Sequence, residues 1–175
     1  PSMLVNHLDI TFAGILASLN FAGYLSGSLL SIFIKDINQK VLLFRFGVVL
    51  AIASTLALAF SSNDTIWIIA RIFAGFAGAM TFVVGSAIVM TKLQMESKTK
   101  AMGIHFSGIG FSILTTDLIN RYVLSSGGSW QDSWLVLAIF AFVISIYSVY
   151  ILSFDKKVKQ NVVKHGFDKS IFTFF

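Results

Sequence analysis

The chain has 175 residues, 56% of them hydrophobic and 12% charged, with a net charge of +5 and no cysteine. Soluble domains carry about 25% charged residues, so this composition excludes an ordinary water-soluble core and makes the bilayer the solvent. The missing cysteines exclude disulfides, thiolate nucleophiles and cysteine metal sites.

The chain opens on Pro1 rather than Met, with a short apolar stretch at Met3, Leu4 and Val5 and no recognisable signal peptide. That opening reads as the tail of something upstream, a cleaved segment or a further helix. Five long apolar runs then follow, at roughly 10–34, 41–60, 66–91, 101–123 and 133–154. Each has about the twenty residues an α-helix needs to cross a ~30 Å hydrocarbon layer. The expected fold is an all-α membrane protein: a five-helix bundle over 1–154 and a basic tail over 155–175.

The first run carries Gly14, Ser18, Gly23, Gly27 and Ser31, and Gly23 with Gly27 makes a GxxxG pair that lets helix backbones approach. Asn20 lies halfway along it, as interhelical glue or as a solute contact. The loop after it holds Lys35 and Lys40, with Arg45 just beyond. The turn Ser61-Ser62-Asn63-Asp64 follows the second run, and Asn63-Asp64-Thr65 is a formal glycosylation sequon. The third run carries Arg71, Gly75, Gly78, Ala79 and Gly85. Lys92, Lys98 and Lys100 lead into the fourth, which holds Gly103, His105, Ser107, Gly108, Gly110, Thr115, Thr116 and Asp117. Both threonines can bond their own helix backbone and need no other role. After the turn Ser125-Ser126-Gly127-Gly128 comes the last run, rich in Phe, Ile and Val and free of glycine. Clustered glycines on three runs and none on the last predict a tight inner set and a peripheral last helix.

Of 13 Lys and Arg, only Arg71, within a run, and Arg121 fall away from one set of alternate connections and the tail. The positive-inside rule makes the loops 35–40 and 92–100 and the tail cytoplasmic, and the turns 61–65 and 124–132 external. It also explains the net charge without a nucleic-acid partner. Trp67, Trp130 and Trp134 fall near the outer helix ends and Tyr147 and Tyr150 near an inner end, where aromatic belts sit. The tail joins Lys156, Lys157, Lys159 and Lys164 to an apolar end at 171–175. It reads as a solvated flank or as a segment lying on anionic lipid.

A charge near a helix centre costs roughly 2.5–3.5 kcal/mol on insertion scales, so intramembrane charges need partners or water. Arg71 and Asp117 lie at similar depth on neighbouring antiparallel runs. Two readings follow: they pair or face one aqueous cavity, or both snorkel to the outer interface. His105, just inside the cytoplasmic end of its run, is a packed residue or a proton carrier. No paired carboxylates, HExxH, P-loop or GxSxG are present, and His7, His105 and His165 lie on different sides of the membrane. Neither an enzyme nor a cofactor is expected.

Arg71-Ile72-Phe73-Ala74-Gly75-Phe76-Ala77-Gly78-Ala79 resembles the fourth-helix Arg-x-x-x-Gly-x-x-x-small motif of the major facilitator superfamily. The run from Gly103 to Gly110, with its His-Phe-x-Gly-x-Gly pattern, resembles the start of helix five in the YbfB/YjiJ-type branch. Gly14 to Gly27 is similar to that branch's helix two. The resemblance covers 1–154 as helices two to six of the N-terminal half. Between helices two and three the family carries Gly-x-x-x-Asp-Arg-x-Gly-Arg-Arg. Asp36 and Lys40 fit that pattern, while Ile32, Ile37, Gln39 and Val41 depart from it. The helix-five Pro is absent and Ala74 replaces a usual polar residue, so antiporter-type proton coupling is not implied.

The resemblance implies secondary active transport of a small solute across the inner membrane. It makes Arg71 the best-placed path residue, with Asp117, Asn20 and His105 added by depth and polarity. The implied partners are the bilayer, the solute, a missing first helix and a second transporter half, and this fragment alone is not expected to transport. The alternative is a self-contained five-span subunit for assembly or interaction.

Overall fold

A computed structural model describes residues 9–154, with side chains through Tyr150. His7, the basic tail with its apolar end, and His165 lie outside the described residues. Five helices are long and apolar enough to cross a membrane: α1 (Ile10–Phe33), α2 (Ile37–Phe60), α3 (Asp64–Met95), α4 (Met102–Ser125) and α5 (Trp130–Phe154). No strand occurs among the described residues.

Helix ends follow local chemistry. α2 starts at Ile37, four residues before its apolar run, because the Asp36 carboxylate accepts the Asn38 N–H at 3.3 Å. Asn63 caps α3 by accepting the Thr65 N–H at 2.8 Å, so the sequon asparagine is a helix cap. α5 starts at Trp130 through a capping box. The Ser129 N–H donates to Asp132 Oδ2 at 2.7 Å, and the Asp132 N–H donates to Ser129 Oγ at 3.2 Å. α4 ends in a Schellman turn, with Gly127 at φ +83° and the Gly128 N–H bonded to the Val123 carbonyl at 3.0 Å.

α3 ends in the same turn with a serine in the left-handed position: Ser97 has φ +55°, and the Lys98 N–H reaches the Leu93 carbonyl at 2.8 Å. A side chain there is strained and glycine is not. Ser97→Gly is therefore expected to raise stability by about 0.5–1 kcal/mol, read as a higher midpoint for thermal unfolding in detergent.

Within the spans, hydroxyls bond back to their own helix. Ser18 donates to the Gly14 carbonyl at 3.0 Å, and Ser28 to the Tyr24 carbonyl at 2.8 Å. Thr115 and Thr116 donate to Phe111 and Ser112 carbonyls at 2.8 and 2.9 Å. These hydroxyls need no partner from another helix; Ser86, which meets His105 on α4, is an exception among the described residues.

α3 is the centre of the bundle and contributes to both buried clusters. At the end bearing the tryptophans, Leu16, Leu58, Trp67, Ala70 and Trp130 pack together. At the end bearing the lysine loops, Ile37, Ala79, Met80, Val84 and Ile88 do so. Within the second of these clusters α3 passes through a π-helical turn at Met80–Val84, a wider turn that often accompanies functional sites.

The closest-packed pair is α1 with α3, which run parallel. A Cβ on Gly23 would collide with the Ile72 carbonyl, and one on Gly75 with the Asn20 carbonyl. A Cβ on Gly27 would lie 2.8 Å from Ala79 Cβ. Gly47 on α2 makes an approach of the same kind, with Met80 Cβ 2.6 Å from where its own Cβ would be. Gly78 has only ordinary contact, with Tyr24 at 3.6 Å.

Two expectations are corrected here. The peripheral helix is α4, with no buried residue, and not α5. α5 packs on α2 and α4 without glycine because Ser133 and Ala138 are small enough and are buried. Second, Trp67 and Trp130 are not an interfacial belt: they are 1% and 6% exposed and meet edge to face at 5.5 Å inside the bundle. Tyr147 and Tyr150 do lie exposed on α5.

Candidate functional site

The expected path residues fall on three helices. Arg71 sits on the central helix α3, half-buried, with its guanidinium carbon 5.1 Å from the Trp134 ring centroid on α5. That geometry is a cation–π contact, favourable where water is scarce. Asp117 lies on α4, where Oδ2 accepts from Arg121 Nε at 2.7 Å. The structure therefore does not bring Arg71 and Asp117 together. Each has another partner, and α4 meets α3 chiefly near the lysine-loop end. The spacing Asp-x-x-x-Arg could have pointed to Arg121, because residues four apart share a helix face. Nothing in the local sequence pairs Arg71 with Trp134, which lies two spans away.

α4 has two unlike faces. His105, Ile119 and Val123 turn toward the bundle and are partly buried. Gly103, Ser107, Gly110, Leu114, Asp117 and Arg121 recur at alternating spacings of four and three and are all exposed. The Asp117–Arg121 pair belongs to this outer stripe, about half and three-quarters exposed respectively. Gly108 and Gly110 were expected at a helix contact. Both face open space among the described residues, with nothing within 4 Å of where a Cβ would stand.

Asn20 approaches α3 with its main chain: its carbonyl lies against Gly75. No side-chain hydrogen bond crosses from it among the described residues. His105 does reach across, and its Nε2 lies 2.9 Å from Ser86 Oγ on α3. Its ring also meets Phe106 at 5.4 Å. Ser86 was absent from the expected set, since a single serine within an apolar run carries no signal of its own. No cluster of three metal-ligating side chains occurs among the described residues.

This arrangement holds and orients groups within a membrane. It offers a stacked cation near one end, a polar bridge near the other, and an ion pair on an open face. Among known families, the one described as "Uncharacterised MFS-type transporter YbfB" matches the chain over residues 1–169. No curated protein and no solved structure matches the chain.

Proposed function

The chain belongs to the YbfB-type branch of the major facilitator superfamily, and on that footing we propose that it forms helices two to six of the N-terminal half of a secondary transporter for a small solute. The protein is an integral, multi-pass membrane protein of a transporter family. In this reading the membrane is the bacterial inner membrane and the lysine-loop end is cytoplasmic. The basic tail lies on that same side, and a first helix and a second half complete the machine.

The observation that carries the reading is the outer stripe of α4. An ion pair one to two turns inside a span is expensive against hydrocarbon and tolerable against water or protein. Asp117 and Arg121 lie on the face that the bundle leaves open. Transporter sites form where two halves face one another near the midplane. The open face of α4 therefore borders the solute path, with Arg71 on the helix behind it.

No cysteine occurs in residues 1–175, so a single one can be placed there, with the unsubstituted complete transporter as the labelling background. In the complete transporter in cells, Gly110→Cys on the stripe is expected to react with a membrane-impermeant maleimide. Phe111→Cys, at nearly the same depth but off the stripe, is expected to stay unlabelled. Equal labelling of the two sinks the reading. A second outcome concerns the chain alone. Alternating access needs two halves rocking about a shared site, so proteoliposomes of 1–175 are expected to take up no more solute than empty vesicles. Saturable accumulation would refute this.

A further inference from the structure

A half-open cleft of about 310 Å³ lies between α2, α3, α4 and α5, toward the lysine-loop end. Phe44, Phe82 and Tyr147 give it aromatic walls, and Ile88 and Val89 an aliphatic one. His105 is its polar group on the α4 side, and no Asp, Glu, Lys or Arg lines it. The Ser86 hydroxyl holds the imidazole through Nε2 at 2.9 Å. The other ring nitrogen has no hydrogen-bond partner among the described residues.

We propose that this cleft binds a small, uncharged aromatic molecule of about two rings that carries one hydroxyl or amine. Size sets the first limit. An apolar cavity of about 150 Å³ takes benzene, and this one is about twice as large. Charge sets the second, because an ion here would lose its hydration with no opposite charge to meet it. Chemistry sets the third. Aromatic walls favour edge-to-face or offset packing of a flat ring, and the free nitrogen of His105 offers one hydrogen bond to fix its orientation. An acyl chain would leave that nitrogen unused.

The site adds a ligand class to the transport reading, yet binding is measured on the chain alone. Failure to bind leaves the transport reading standing, and failure to transport leaves the site standing.

The probes are 2-naphthol and naphthalene, measured by equilibrium dialysis against the purified chain in lipid nanodiscs, with empty nanodiscs as reference. Saturable excess binding of 2-naphthol is expected. His105→Leu should weaken 2-naphthol by about three- to tenfold, the value of one hydrogen bond, while naphthalene binding barely changes. Val89→Trp should remove both by filling the cleft. Ser148→Leu fills it from α5 and stands in if the first variant does not fold, as judged by monodisperse elution. Binding no greater than in empty nanodiscs overturns the proposal. So does equal loss of both probes in His105→Leu, or indifference to the filling variants.

Discussion

Gly75→Leu is expected to break the bundle at its closest contact and to cost about 3 kcal/mol or more. Forcing extra atoms into a packed interface usually costs 1–3 kcal/mol when side chains can yield. Here the atoms in the way are main chain. A Cβ at Gly75 meets the Asn20 carbonyl and, at 2.8 Å, the Tyr24 nitrogen, and neither moves unless α1 moves. The two helices must separate, and Gly23 and Gly27 then lose their contacts as well. No hydrophobic effect holds helices together in lipid, where hydrocarbon is as apolar as leucine, so close packing is the main attraction lost. The measurement is the unfolding midpoint in a titration with SDS, against Gly110→Ala as reference. Gly110 has open space around it and should shift stability by no more than about 0.5 kcal/mol. Similar midpoints for the two variants would show that the contact does not hold the fold.

The second large effect is expected at Trp67. Its side chain is 1% exposed and packs edge to face on Trp130, and its indole N–H donates to the Ser61 carbonyl at 2.6 Å. Trp67→Ala removes packing, leaves a cavity and strands a turn carbonyl. Losses of about 3–5 kcal/mol are usual for such truncations. Trp67→Phe keeps a ring and loses the hydrogen bond, so about 1 kcal/mol plus some packing is expected. An alanine variant as stable as the phenylalanine variant in the same titration would mean that Trp67 acts only as an interface anchor.

The five helices and their class were legible because lipid imposes a length and a composition on any span. The family was legible because its signature is local: Arg71 with Gly75 and Ala79 on one helix, and the His105 run on another. The α1–α3 contact was half legible. Gly23 and Gly27 announced a close approach, but a small-residue pattern does not name its partner, and Gly75 became one only in three dimensions. At Gly108 and Gly110 the same pattern has no partner among the described residues. Side-chain partners were the least legible. Depth alone suggested Arg71 with Asp117, whereas rotation about the helix axis places Asp117 beside Arg121 and Arg71 over Trp134. Depth is read by counting residues from a helix end, but which way a helix turns is settled only by its neighbours.

The hydroxyls that donate back into their own helices bear on how the protein is made. A span whose serines and threonines are already satisfied enters lipid as a finished unit, with no wait for a neighbour. Assembly then becomes a matter of order during synthesis. α1 leaves the ribosome well before α3, with α2 between them, so its glycine face stays bare until the third span arrives. During that interval the waiting groove is open to any other small-residue helix in the membrane.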